Sequence, residues 1–172
     1  MSCSGSFGSP TSPESNPVFA GYASAKMLEI VGVGGGVNIG AANINFTYSN
    51  TRFEDMGSAS GPNALRYSGT AAFNNFEING KYHFTPSLLA GVAYDYTRNG
   101  GAGGKGGANY NLFSAGVDYS LSRRTDVYTV AVYEKASGTD SLGQGAVAQI
   151  TGLTPSTTDK QVSLRVGMRH KF

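Results

Sequence analysis

Charged residues are scarce in this chain: of 172 positions, 13 hold Lys or Arg and 11 hold Asp or Glu, 14% in all. An ordinary soluble domain carries about 25%. No stretch of 18 apolar residues occurs anywhere, which excludes a protein that crosses a membrane with helices. Leu, Glu and Lys are few while Gly takes 25 positions, and Gly is costly inside helices, which argues against a helical soluble domain. Tryptophan is absent, yet 9 Phe, 10 Tyr and many Val and Ile argue against disorder. The single cysteine, Cys3, permits neither an internal disulfide nor a Cys-based metal cluster. A net charge of +2, scattered along the chain, points to no nucleic-acid partner. Met1 to Tyr22 has no basic region followed by an apolar one and holds Pro10, Pro13 and Pro17 among serines. It therefore reads as an irregular, loop-like segment without a signal peptide, followed by one domain over residues 23–172. Mean hydropathy is only −0.20. The composition left standing is that of a β protein that hides apolar residues among polar ones.

What the chain does have is alternation, the mark of a half-buried strand. At its end Val162, Leu164, Val166, Met168, His170 and Phe172 form one set, and Gln161, Ser163, Arg165, Gly167, Arg169 and Lys171 the other. The same pattern recurs from Ala42 to Ser49, Asn75 to Phe84, Leu88 to Thr97 and Phe113 to Leu121. In Thr125 to Ala136 the charges Asp126 and Glu134 share one parity, which puts Val127, Thr129, Ala131 and Tyr133 on the apolar side. In Ala25 to Val33, Glu29 marks the polar face and leaves Leu28 and Ile30 opposite. Seven strands are expected.

The connections sort by length. Gly34 to Val37, Thr85 to Ser87 and Ser122 to Arg124 are short; Asn50 to Tyr67, Arg98 to Asn109 and Ser137 to Asp159 are long, and the two kinds alternate. A β-sandwich has no reason to do this. An antiparallel transmembrane β-barrel of the outer membrane does, with short periplasmic turns and long outer loops. Strands of about 9–11 residues also suit a tilted crossing. Tyr48, Tyr82, Phe84, Tyr94, Tyr96, Tyr119, Tyr133 and Phe172 fall near strand ends, where aromatic rings meet the lipid–water interface.

The final residues, Arg165 to Phe172, resemble the C-terminal signal of outer-membrane barrels: a polar residue, Gly167 two positions on, alternating apolar positions, and His170 before a terminal Phe172. With Lys81-Tyr82-His83-Phe84-Thr85-Pro86-Ser87, Leu121-Ser122-Arg123-Arg124-Thr125 and Tyr133-Glu134-Lys135-Ala136, the chain from Gly21 onward is similar to the C-terminal half of the general porins of β-proteobacteria. The resemblance implies a 16-stranded barrel, a homotrimer in the outer membrane, passive passage of small hydrophilic solutes, and recognition of the last strand by the barrel-assembly machinery. The family's inward-folded constriction loop would belong to the other half. Single-chain bacterial barrels have an even number of strands. Seven strands ending at the periplasm therefore read as part of a truncated porin.

Competing chemistry fails on spacing. In Gly100-Gly101-Ala102-Gly103-Gly104-Lys105-Gly106, Asn99 stands at the first glycine position of a phosphate loop and Gly106 at its Ser/Thr. Gly32 to Val37 misses the dinucleotide pattern and reads as a tight turn. His83 and His170 fall on opposite faces, so no metal site is expected. No nucleophile elbow and no catalytic carboxylate pair stands out; neither enzyme nor cofactor is expected. Glu77, Lys81, Asp95, Asp118, Asp126, Glu134, Arg165, Arg169 and Lys171 all fall on the polar parity. Arg or Lys on the lipid face costs about 2–4 kcal/mol at the midplane, so this set is expected to line a pore. Arg169 and Lys171 are expected near the periplasmic mouth. The alternatives are a small eight-stranded barrel with a structural or adhesive role, which needs a strand within Met1 to Tyr22, and a soluble β-sandwich binding module, whose apolar faces would pack together.

Overall fold

The computed structural model describes residues 17–59, 63 and 65–172; Cys3 and the first 16 residues of the expected irregular segment lie outside them. Seven strands follow one another: β1 (Met27–Ile39), β2 (Ala42–Met56), β3 (Gly69–Thr85), β4 (Leu88–Asn99), β5 (Gly107–Ser120), β6 (Thr125–Thr139) and β7 (Lys160–His170). Each pairs antiparallel with the next in a single sheet, and β1 and β7 are its two edges, so the sheet is open. No helix among the described residues is long and apolar enough to cross a membrane.

Register assigns the faces, because cross-strand partners point the same way. One row runs Phe46, Ile78, Tyr94, Phe113, Tyr133, Val162. Towards the short turns a second runs Ala42, Tyr82, Ala90, Val117, Thr129, Val166. This apolar face is bare: Val162, Leu164, Val166 and Met168 are each about 70% exposed (72%, 70%, 75% and 68%). Among the described residues no second sheet covers it, so the apolar faces do not pack together as the sandwich alternative requires. An apolar surface of this extent is costly in water at roughly 25 cal/mol per Å² and free of that cost against lipid.

Two aromatic belts bound the face. Tyr48, Phe76 and Tyr96 lie in one row near the long loops, and Tyr82, Phe84 and Tyr119 lie near the short turns. Phe76 and Phe84 are separated by eight residues, or about 26 Å along a strand. In the first belt the hydroxyls point toward the loops. Tyr48 donates to Asn74 Oδ1 (2.8 Å), Tyr94 to Asn111 Oδ1 (2.7 Å) and Tyr96 to Asn109 Oδ1 (3.0 Å). Each ring thus keeps an apolar body and a polar tip facing the wet side.

Two of the three expected short turns stand where the residues placed them. Thr85 Oγ1 accepts the N–H groups of Ser87 and Leu88, and Ser122 Oγ those of Arg124 and Thr125. The third does not. Gly34 to Val37 lie inside β1, and the chain reverses at Gly40-Ala41, with Gly40 at φ +59°. The glycines serve close approach: a Cβ at Gly36 would meet Asn45 Oδ1 at 2.1 Å, and one at Gly35 the Phe46 ring at 3.1 Å.

The expected faces of β1 are also reversed. Leu28, Ile30, Gly32 and Gly34 pair with Phe53, Thr51, Ser49 and Thr47 on the polar side, while Val31, Val33 and Val37 join Asn50, Tyr48 and Ile44. Glu29 sits on the apolar parity beside Arg52, near the long-loop end, beyond the aromatic belt. One charge at a strand end was a poor guide to the strand's middle. Strands also run further into the long connections than alternation shows, β2 to Met56, β5 back to Gly107 and β6 to Thr139.

The buried core lies on the polar face, at its long-loop end. Tyr22, Met56, Tyr67, Ala71, Phe73 and Ala102 form one cluster, and Ala108, Tyr110, Ala136 and Ala146 another. Residues 17–26 have no strand, only a short 3-10 turn at Ala20–Tyr22, so they supply no eighth strand. They are docked against the sheet, with Tyr22 in the first cluster and Val18 packed against both.

Candidate functional site

The polar face carries its charges in cross-strand rows. The row nearest the long loops reads Thr47, Glu77, Asp95, Leu112, Glu134, Gln161. Glu77 and Asp95 are direct partners, and Glu134 lies two strands further on. Two carboxylates facing each other in a sheet repel. Local donors offset this in part: Asn79 Nδ2 donates to Glu77 Oε1 at 2.8 Å, and Thr97 Oγ1 lies 3.5 Å from Asp95 Oδ1. Among the described residues no Lys or Arg forms an ion pair with any of the three acids.

The next charged row, four residues along each strand, reads Asn43, Lys81, Gly91, Gly116, Val130, Arg165. That separation is about 13 Å, beyond the Debye length of about 10 Å at 0.1 M salt. The acidic and basic rows therefore act as separate layers. Gly91 faces Gly116, and the two leave a hollow of about 380 Å³ bordered by Lys81, Asp118, Tyr128 and Arg169.

Closest to the short turns, Arg169 pairs directly with Asp126 across β6 and β7. Its Nε donates to Asp126 Oδ1 at 3.0 Å, its Nη2 bonds Asp126 Oδ2, and the same Nη2 lies 3.4 Å from Asp118 Oδ2. A guanidinium fork on one carboxylate, with a second acid alongside, is a rigid, charge-assisted arrangement. Register thus brings Glu77, Asp95 and Glu134 into one layer and Asp126 and Arg169 into another, while Asp118, two residues up its strand from that row, is joined to them by the reach of Arg169. Lys81 and Arg165 share a row but lie at opposite ends of it. Asp126 and Glu134 stand on the polar face yet are buried.

Gly167 has a packing reason of its own. It lies under the Tyr128 ring, where a Cβ would meet Tyr128 Cζ at 2.5 Å. His170 packs edge-on against Phe172 at 5.0 Å, and its Nδ1 is 2.9 Å from Thr125 Oγ1.

The residues that sequence reasoning missed are those joined over long distances. Tyr22 is fully buried; its ring meets Tyr67 at 5.1 Å, Phe53 at 5.7 Å and Phe73 at 5.9 Å. Its hydroxyl accepts a bond from Asn99 Nδ2 at 2.9 Å, while Asn99 Oδ1 receives the Gly101 N–H. Burial raises the Tyr22 and Tyr67 hydroxyl pKa values, the latter to about 12, with Asp140 adding to both. Nothing near Tyr22 in the chain signals these partners, since Asn99 lies 77 positions away. Among the described residues no group of three or more His, Cys, Asp or Glu is placed to hold a metal ion.

A model of the Gram-negative porin family matches residues 11–139, three quarters of the sequence. The chain belongs to the Gram-negative porin family. No curated protein matches it. Among solved structures, the outer-membrane expressed OmpT of Vibrio cholerae superposes with a TM-score of 0.58 at 19% identity. The match covers 83% of this chain and 41% of that one, so the porin chain spans less than half of that protein's length. At this identity the likeness is one of fold: the seven strands correspond to a run of outer-membrane barrel wall.

Proposed function

We propose that this porin chain forms part of the wall of a water-filled outer-membrane channel, through which ions and small hydrophilic solutes diffuse passively. The observation that carries the reading is the division of the sheet into two faces. Eight acidic and basic side chains of β3 to β7 share one face with Asn, Ser, Thr and Gly, and the other is a bare apolar band between aromatic belts. Such a sheet is at rest only with lipid on one side and water on the other.

In this reading the rows set the field along the pore. Uncompensated Glu77, Asp95 and Glu134 favour cations at the outer level, Lys81 and Arg165 favour anions below it, and the Asp118–Asp126–Arg169 cluster keeps one net negative charge, with one of its two carboxylates neutralised by Arg169. Passage makes and breaks no bond, and no side chain is given a catalytic role. The strand ending in His170 and Phe172 is the segment the assembly machinery reads, and the intact protein assembles as a homotrimer.

The test is planar-bilayer recording of the intact protein that contains this chain, refolded in detergent. Discrete, ohmic conductance steps are expected. A folded, membrane-inserted protein that gives no steps and admits no sugar into liposomes would refute the channel.

A further inference from the structure

The connection between β6 and β7, residues 140–159, is long enough to stand clear in solvent, yet much of it is buried. Asp140, Ser141, Ala146, Ala148 and Ile150 are all buried. Ala146 packs against Ala108, Tyr110 and Ala136 on the charged face of the sheet.

Three sets of bonds hold the segment there. The Gln149 N–H donates to the buried Glu134 Oε1 at 3.2 Å, and the Ile150 N–H donates to Gln161 Oε1 at 2.7 Å. Gln161 closes the link by donating its Nε2–H to the Thr154 carbonyl at 2.9 Å. Within the loop, the Ala148 N–H donates to the Thr158 carbonyl (3.1 Å) and the Ser156 N–H to the Ala148 carbonyl (2.8 Å). At the start of the loop, Ser141 Oγ donates to the Pro17 carbonyl and accepts the Gly21 N–H. The loop is therefore clasped by the N-terminal segment as well as by the wall.

Its tip reaches deep. Ile150 to Leu153 face Tyr128, Val130, Ser163 and Arg165 across a cavity of about 270 Å³. Arg165 lies four residues, about 13 Å, below Gln161, where the loop is pinned. Leu153 remains 43% exposed.

We infer that the β6–β7 loop is folded into the lumen as a constriction, with Thr151 to Leu153 at its inner edge and with Glu134 and Gln161 as its positioning residues. The inference rests on the channel reading. A segment laid on a sheet occupies about 10 Å of depth. It therefore narrows the passage beside β6 and β7 and sets an upper size for solutes there. The loop contains no Lys or Arg, so it narrows the pore without adding positive charge beside the acidic row.

The test uses single-channel recording of the intact protein in a Cys3→Ser background. Leu153→Cys is exposed to a bulky, membrane-impermeant thiol reagent, and the lipid-facing Val166→Cys is the control. A stepwise loss of conductance is expected for Leu153→Cys and none for Val166→Cys. Deleting Thr151 to Leu153 is expected to raise conductance and admit larger sugars in liposome swelling, with heat-modifiable gel mobility checking the fold. Gln161→Leu, which frees the Ile150 N–H, is expected to add open-channel noise while the ion selectivity stays unchanged. Channels whose conductance labelling at Leu153 leaves unaltered would overturn the constriction alone. Absence of channels from the unlabelled protein would overturn the channel reading and the constriction with it.

Discussion

Replacing Tyr22 by Ala tests whether the segment before β1 is docked by its aromatic anchor. The ring has no exposed surface and contacts three other rings, Phe53, Tyr67 and Phe73. A buried aromatic of this size removes about 150–250 Å² from water, which at about 25 cal/mol per Å² is about 4–6 kcal/mol. Measured truncations of buried aromatics to Ala cost about 3–5 kcal/mol. The two scales agree on about 4 kcal/mol, or roughly a thousandfold in the local opening equilibrium. Tyr22→Phe keeps the ring but leaves Asn99 Nδ2–H without its acceptor inside the cluster, at about 1–3 kcal/mol. The assay is hydrogen exchange of the Gly21 and Ala25 amides, which bond Ser141 Oγ and the Tyr22 carbonyl, with tryptic cleavage at Lys26 as a second probe. Protection is expected to fall by about three orders of magnitude in Tyr22→Ala and by one to two in Tyr22→Phe, while amides in the middle of β4 and β5 keep theirs. Unchanged protection of Gly21 and Ala25 in Tyr22→Ala would refute the anchor.

The face assignment predicts a contrast on one strand: Val166→Arg costs about 2–4 kcal/mol in urea unfolding from lipid vesicles, and Ser163→Arg far less. Equal costs would contradict it. Burial holds Tyr67 neutral to about pH 12. Its folded-state pKa lies above the unfolded value, so its contribution is complete below about pH 10 and is lost as pH rises through about 12. Tyrosinate absorbance of the protein minus that of Tyr67→Phe should show that late titration; a transition near pH 10 would contradict the burial.

Alternation made most of the wall legible. In β3 to β7 every apolar and charged residue sorted by parity lies on the face expected of it, because a strand's side-chain period of two is a local property. Turns with their own side-chain acceptors, at Thr85 and Ser122, were legible for the same reason. β1 was not. Its glycines mimic a turn, and its one charge lies beyond the apolar band, so only the pairing with β2 decided which way Leu28 and Ile30 face. Strand ends were also unreadable where Asn, Ser and Gly continue the ladder into the loops without an apolar partner to mark them.

The charged rows show the same division. That Glu77, Asp95 and Glu134 share a face follows from parity alone; that they share a level follows from register, which two short turns and one long loop set together. The sequence by itself determined the strand number and the two faces of β2 to β7, because these depend on neighbours one or two positions apart. Only the tertiary structure decided the layering of the charges, the docking of Tyr22 and the inward path of the β6–β7 loop. Those depend on bonds such as Asn99 to Tyr22 and Ser141 to Pro17, between residues 77 and 124 positions apart. No local pattern encodes such a contact, since each partner's side chain is ordinary where it stands and becomes specific only when the sheet brings the two together.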